Sequence, residues 1–211
     1  MADSIKDLEW RYAVKKFDSE KIVSDSKIER LKEAFNLTAT SYGLQPIKMV
    51  VIQNKEVQEK LIAHSYNQKQ VHQASHVLVI CIEKNIDGAY IANYFNRVKE
   101  VRGTSDEILD PFKNGVLNDF SKKSINEIHK WATNQAYLAM GNLLTICAIE
   151  KIDSCPMEGF IPDGYNEVLQ LDKENLTAVL VLPVGFRADD DLLAELKKVR
   201  KNLNDSIIEI S

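Results

Sequence analysis

The stretch HVLVICI (residues 76–82) decides the fold, because six consecutive apolar residues follow His76 with no polar position left to face water on either side. Its length and β-branched content read as a strand covered on both faces. Two more runs have the same character, residues 48–53 (KMVVIQ) and 177–182 (TAVLVL). Between them the period changes to that of helices. Ser26-Lys27-Ile28-Glu29 has the spacing of a capping box, and Ile28, Leu31, Ala34 and Phe35 recur on one face, predicting a helix to about Leu37. Residues 131–150 (WATNQAYLAMGNLLTICAIE) are apolar on nearly every side. They read as a central buried helix, partly at a subunit interface, where Ala136, Ala139 and Gly141 allow close approach. Strands and long helices together make this an α+β chain.

No internal repeat or linker divides the sequence, so residues 1–211 are read as a single domain. Residues 88–128 are mostly polar, broken by Gly103, Pro111 and Gly115, and read as a helical excursion outside the main core, a lid. The tail SIIEIS (residues 206–211) is strand-like and apolar, which a free terminus disfavours; pairing with a sheet, that of a second subunit included, explains it.

At 45% hydrophobic and 27% charged residues the chain has a globular composition, and 211 residues suffice for a full core without metal or disulfide support. A net charge of -4, with no basic run interleaved with aromatics, gives no nucleic-acid surface. The charged start and the lack of any window approaching the roughly 18 apolar residues of a membrane span predict a cytoplasmic protein with no membrane partner. Cys81, Cys147 and Cys155 are too widely spaced for a disulfide framework, and the first two lie in apolar runs.

Four segments could carry chemistry. Arg11-Tyr12-Ala13-Val14-Lys15-Lys16-Phe17 sets cations four residues apart, Thr40-Ser41-Tyr42-Gly43-Leu44-Gln45-Pro46 is a turn before the first strand, Cys155-Pro156-Met157-Glu158-Gly159-Phe160 offers backbone N–H groups to a flat ligand, and Lys197-Lys198-Val199-Arg200-Lys201 is a basic run. Each alone also has an ordinary reading as a helix end, a connecting loop or a solvated charged face.

Their order and separation, with Asn67 before Ala74-Ser75-His76 and the helix WATNQAYLAMGN, resemble the nitroreductase family over nearly the whole chain. The compact NAD(P)H-dependent nitro- and quinone reductases, some known as dihydropteridine reductases, are the nearest in kind. The resemblance implies a central, mostly antiparallel sheet flanked by helices, in a homodimer whose C-terminal strands exchange between subunits. It also implies FMN at the subunit interface, NAD(P)H as hydride donor, and nitroaromatic or quinone acceptors taking turns with the donor in a ping-pong mechanism. Arg11, Lys198 and Arg200 would hold the phosphate, Lys15 would face the N1–C2=O edge of the ring, and Asn67 the pyrimidine edge. Backbone of Glu158 and Gly159 would lie near N5 and O4. Ser41, Tyr42 and Gly43 would come from the other subunit, with Tyr12, Ala13, Gln45, Gln70, Pro156 and Met157 completing the cofactor set. Ser41, Tyr42, Phe112, Leu117 and Phe120 are the implied acceptor contacts, and no side chain acts as an essential general base.

Two positions depart from the family pattern. Ala13 replaces a hydroxyl residue near the phosphate, and Gln70 replaces a Lys near the pyrimidine edge, which predicts a lower flavin midpoint potential unless Lys69 substitutes for the charge. The chain has no GxGxxG turn, Walker loop or GxSxG elbow, so NAD(P)H is read as a visiting substrate. His64, His72 and His76 lack a further ligand at a familiar spacing, and no metal is expected. A flavin-binding sensor or storage protein without turnover would use the same residues.

Overall fold

In the computed structural model the apolar run at residues 76–82 lies in the middle of a four-stranded sheet. The structure describes residues 3–210; the parts of the N-terminal and C-terminal readings that fall on Met1, Ala2 and Ser211 lie outside the described residues. Helices α1 (Ser4–Trp10) and α2 (Asp25–Asn36) precede β1 (Ile47–Ile52), and α3 (Lys55–Ala63) and the single turn α4 (Gln70–Gln73) precede β2 (His76–Glu83). Then come α5 (Gly88–Arg102), α6 (Asp106–Phe120), α7 (Ile125–Ile149), β3 (Asp153–Ser154), α8 (Pro162–Val168), β4 (Leu176–Gly185) and a terminal turn, α9 (Leu203–Ser206).

The strand order is β1-β2-β4-β3, and every pairing is antiparallel. Side chains of β2 alternate between two cores, as strand geometry requires. Leu78, Ile80 and Ile82 join α2, α5, α6 and α7 on one face, while Val77, Val79 and Cys81 join Leu61, Val71 and Tyr165 from α3, α4 and α8 on the other. Ile80 pairs with Leu180 but Cys81 pairs with Ala178, so Val179 is an extra residue in β4. This bulge turns Val179 and Leu180 to the same core and resets the alternation of the strand.

Helix α7 packs through Ala132, Ala136, Ala139, Leu143 and Cys147, all fully buried, and the three alanines bring its axis close to the sheet. Gly141 faces open space, and Tyr137 and Leu138 on the outer side are about half exposed. The capping box of this fold belongs to α7: Ser124 Oγ accepts the Glu127 N–H, and Glu127 Oε2 accepts the Ser124 N–H at 2.7 Å. The box expected at Ser26 is not formed. Helix α2 starts two residues earlier, with Ser24 as N-cap and Ser26 inside the first turn, where its hydroxyl meets that of Ser24.

Residues 88–128 form α5, α6 and the start of α7, and they do not stand apart from the core. Buried apolar pairs are spaced by four, Ile91 with Phe95 and Val116 with Phe120, so each helix turns a stripe into the α7 core while most of its polar residues face water. The tail differs more. Residues 207–210 form no strand in this single chain, and Ile207, Ile208 and Ile210 are exposed. Among the described residues no helix is long and apolar enough to cross a membrane.

Truncating Leu143 opens a cavity between α7 and the sheet, and Leu143→Ala should lower unfolding free energy by about 2–5 kcal/mol. Urea denaturation measures this; a change below about 0.5 kcal/mol would contradict the packing of α7 described above.

Candidate functional site

The segment after α1 forms isolated bridges at Ala13 and Phe17 with a bend at Lys15 and Lys16, and that bend sorts its side chains. Val14 and Phe17 point into the core, while Lys15 and Lys16 stay exposed. Backbone hydrogen bonds hold it on both sides: Val14 N–H donates to Ser154 C=O at 3.2 Å, Asp18 N–H to Phe186 C=O at 2.8 Å, and Ala188 N–H to Lys16 C=O at 3.0 Å.

One buried carboxylate fixes this segment from below. Asp191 Oδ2 accepts the N–H groups of Lys15 (2.9 Å) and Lys16 (3.3 Å) and the Tyr12 hydroxyl (3.0 Å), and Oδ1 accepts the Leu193 N–H (3.2 Å). Burial by itself would raise the Asp191 pKa, but these donors outweigh it and hold the carboxyl below its ordinary value. Burial and the bond to Asp191 push the Tyr12 phenol up. A second acid acts at the end of β4. Buried Asp153 receives the Arg187 backbone N–H at 2.8 Å and its Nε and Nη2 at 2.9 and 2.6 Å, and the Arg187 guanidinium lies 4.5 Å from the ring centroids of both Trp10 and Tyr12.

Above these anchors lies a pocket of about 390 Å³ between Glu9, Arg11, Tyr12, Ala13 and Lys15 on one side and the chain from Leu193 to Arg200 on the other. Lys198 Nζ donates to the Arg11 carbonyl. Arg11 is depressed from its ordinary pKa first by burial and then by Arg200; Lys198 is depressed by burial and by both arginines. The Arg11 Nε is buried with no hydrogen-bond partner among the described residues. Three mutually repelling cations around an orphaned guanidinium nitrogen fit a doubly charged phosphate, as FMN would bring. The loss of a hydroxyl at Ala13 leaves this cationic set intact.

The third segment runs beside β4. Met157 N–H donates to Val181 C=O at 2.8 Å and Val181 N–H to Met157 C=O at 3.1 Å, which turns the Met157 side chain inward and leaves Glu158 and Gly159 exposed. Pro156 sits half-buried between them and Cys155, whose sulfur accepts from Lys15 Nζ at 3.8 Å. Gln68 Nε2 donates to Gly159 C=O at 2.8 Å, and the Glu158 carboxylate accepts the Tyr137 hydroxyl at 2.7 Å. Asn67, exposed, has φ 59°, a left-handed conformation that Asn tolerates better than most residues. Gln70 is buried rather than open to a ligand, its Nε2 donating to Gln68 Oε1 at 3.1 Å, and Lys69 is exposed at the start of α4.

The second segment lies elsewhere. Tyr42 and Gly43 have φ of 59° and 77°, and a Cβ at Gly43 would sit 2.2 Å from the Tyr94 hydroxyl, so this turn requires glycine. Ser41 N–H donates to Gln135, Gln45 Nε2 to the Asn36 carbonyl, and Tyr42 OH to Asp119; none of these bonds reaches the cationic pocket. The Tyr42 ring packs on Phe112, Phe120 and Trp131 at 6.4, 6.0 and 6.4 Å. Phe112 is exposed; Phe120 is buried and, with Leu117, lines a separate cavity of about 640 Å³ near the starts of α5 and α7. The chain thus joins segments one, three and four and leaves segment two apart.

Asp191, Asp153 with Arg187, and Gln68 were absent from the sequence reading. The only trace of Asp191 is the triplet Asp189-Asp190-Asp191, which reads as a solvated acidic turn. Removing its charge leaves buried donors unpaired, at a cost on the order of 1–3 kcal/mol. Because its folded pKa lies below the unfolded value of about 3.9, its stabilisation is complete above that value and is lost as pH falls through the folded pKa. Asp191→Asn should therefore flatten the acid side of the stability–pH curve, read by denaturant titration from pH 7 to 2.5; a curve parallel to wild type would remove Asp191 as the anchor.

The description "Nitroreductase family" matches residues 8–186. A Staphylococcus haemolyticus protein provisionally named an NAD(P)H nitroreductase is 34% identical over 189 residues, 86% of this chain and 87% of that one. A nitroreductase-like protein from Streptococcus mutans superposes with a TM-score of 0.85 at 22% identity, covering 98% of both chains. A provisionally named nitroreductase from Exiguobacterium sibiricum, solved in complex with FMN, superposes with a TM-score of 0.83 at 19% identity, covering 100% of this chain and 98% of that one. On the match across residues 8–186, the chain belongs to the nitroreductase family.

Proposed function

We propose that the protein is an FMN-dependent oxidoreductase that passes a hydride from NAD(P)H to nitroaromatic or quinone acceptors. The observation that carries this reading is the placement of three cations with no ion pair among the described residues, Arg11, Lys198 and Arg200, in one pocket with Lys15, whose ammonium reaches Cys155 three residues before the exposed pair Glu158 and Gly159. Arg11, Lys198 and Arg200 would grip the phosphate. The chemistry that FMN supplies when bound is two-electron hydride exchange. Lys15 adds positive charge where a flavin gains negative charge on reduction, and Asn67 offers its amide to the pyrimidine edge. Donor and acceptor would use the same open face in turn, a ping-pong order that needs no general base from the protein.

The turn at Ser41, Tyr42 and Gly43 completes the site from a second copy of the chain. The exposed residues on the outer side of α7, Tyr137 and Leu138 beside open Gly141, and the exposed isoleucines of the tail support a homodimer, with the tail finding its strand partner on the other subunit. Phe112 and Tyr42, both exposed, are then the acceptor contacts, with Phe120 as the ring that supports them. Nothing in this arrangement needs a membrane or a nucleic acid, in keeping with a cytoplasmic setting.

The purified protein should be yellow and should oxidise NADPH or NADH with menadione or a nitroaromatic, giving parallel double-reciprocal lines. Yellow protein without turnover would favour a flavin-binding sensor, and colourless protein that ignores added FMN would sink the whole reading. Loss of one charge-assisted contact, worth about 1.5–3 kcal/mol, predicts that Arg200→Ala weakens FMN binding by roughly 10- to 150-fold. Fluorescence titration of FMN measures this. Phe112→Ala should change the ratio of kcat/KM between quinone and nitroaromatic acceptors while FMN stays bound; an unchanged ratio would exclude Phe112 from the acceptor face.

A further inference from the structure

Lys15 lines the cationic pocket and reaches from it to Cys155, and its surroundings differ from those of its neighbour. Lys16 is paired with Asp190, whereas the Lys15 ammonium makes no ion pair among the described residues and has the Cys155 sulfur, at 3.8 Å, as its hydrogen-bond partner. The main chain of Lys15 is fixed through Asp191 at 2.9 Å, so what remains to be set is the direction of a four-carbon stem.

Cys155 is fully buried, and its N–H donates to Pro183 C=O at 3.0 Å, so the edge of β4 fixes where its sulfur sits. Behind it the Gln70 amide, itself buried, faces the thiol and works against the rise in its pKa. Gln70 Nε2 then donates to Gln68 Oε1 at 3.1 Å, and Gln68 Nε2 to Gly159 C=O at 2.8 Å. The two amides thereby connect Gln70, beside the thiol, to the backbone of Gly159, and Lys15 carries the only charge in this set.

We propose that Cys155, backed by Gln70, is a positioning residue that aims the Lys15 ammonium at the ring edge without neutralising it. The proposal rests on the FMN reading above. A carboxylate at residue 155 would hold the lysine and cancel its charge; an aliphatic side chain would leave the charge but offer no acceptor, so the stem would swing. A thiol is a weak acceptor that takes one N–H of the ammonium and leaves the others for a ligand. Burial raises the Cys155 thiol above its ordinary value, against the opposing pull of Lys15 and Gln70, which keeps the sulfur neutral at neutral pH and the lysine charge uncancelled.

The test is the midpoint potential of the FMN-loaded full chain, titrated against reference dyes, together with the FMN dissociation constant. Lys15→Met should lower the potential, because a positive charge beside the ring favours electron uptake. Cys155→Ala should lower it in the same direction, with a smaller effect on FMN affinity than Arg200→Ala. Cys155→Ser, which keeps an acceptor, should bring the potential back toward wild type. In a Lys15→Met background, Cys155→Ala should add no further shift. A Cys155→Ala potential equal to wild type, or an undiminished shift in the Lys15→Met background, would overturn the proposal. If Cys155→Ala does not fold, Gln70→Leu carries the same comparison and should lower the potential in wild type but not in Lys15→Met. Protein that takes up no FMN overturns the underlying reading and this proposal together; protein that binds FMN with silent Cys155 and Gln70 variants overturns this proposal alone.

Discussion

The buried carboxylate of Asp191 ties the two ends of the chain together. The segment from Tyr12 to Lys16 has no strand neighbour wide enough to take all of its N–H groups, and Asp191 accepts those of Lys15 and Lys16 with the Tyr12 hydroxyl and the Leu193 N–H. A carboxylate in that position is tolerable only with such a set of donors. Once it is there, Arg11 and Lys15 are aimed from one side, and the chain leading to Lys198 and Arg200 starts from the other. The pocket between them is thus a consequence of one hydrogen-bonded acid, and the Asp153–Arg187 pair braces the same region beneath Trp10 and Tyr12.

Local signals carried much of the fold. HVLVICI could only be covered on both faces, and it is the central strand β2; the alanines of residues 131–150 predicted close approach, and they lie against the sheet. Failures came where two local solutions compete. Ser26 and Ser24 both precede an amphipathic run, and the earlier serine became the N-cap, while Ser124 with Glu127 satisfied the capping-box pattern for α7. The 88–128 segment misled through its average polarity, since four-residue spacing of a few apolar residues suffices to bury one face of a helix.

The candidate site was legible in its charges and illegible in its supports. Arg11, Lys15, Lys198 and Arg200 stand out in the sequence because cations cluster there, and the structure brings them to one pocket. Asp191 does not stand out, because three consecutive aspartates present identical chemistry and only tertiary packing turns the third one inward. Gln68 and Cys155 are likewise ordinary residues until β4 and the turn before α4 set them beside Gly159 and Lys15. Supports of this kind leave no periodic or compositional trace.

Three features of the single chain remain unsatisfied together. The cations around Arg11 repel one another and make no ion pair among the described residues, the tail exposes Ile207, Ile208 and Ile210, and the Ser41–Gly43 turn, with Tyr42 and Gly43 in left-handed geometry against Tyr94, has no hydrogen bond to the cationic pocket among the described residues. An anion answers only the first of these. A second copy of the chain answers the other two, because an isologous interface can cover the tail and the outer side of α7 while setting the turn of one subunit over the pocket of the other. The separation of the turn from the pocket is therefore what the proposed dimer requires: a site assembled within one chain would leave nothing for its partner to complete.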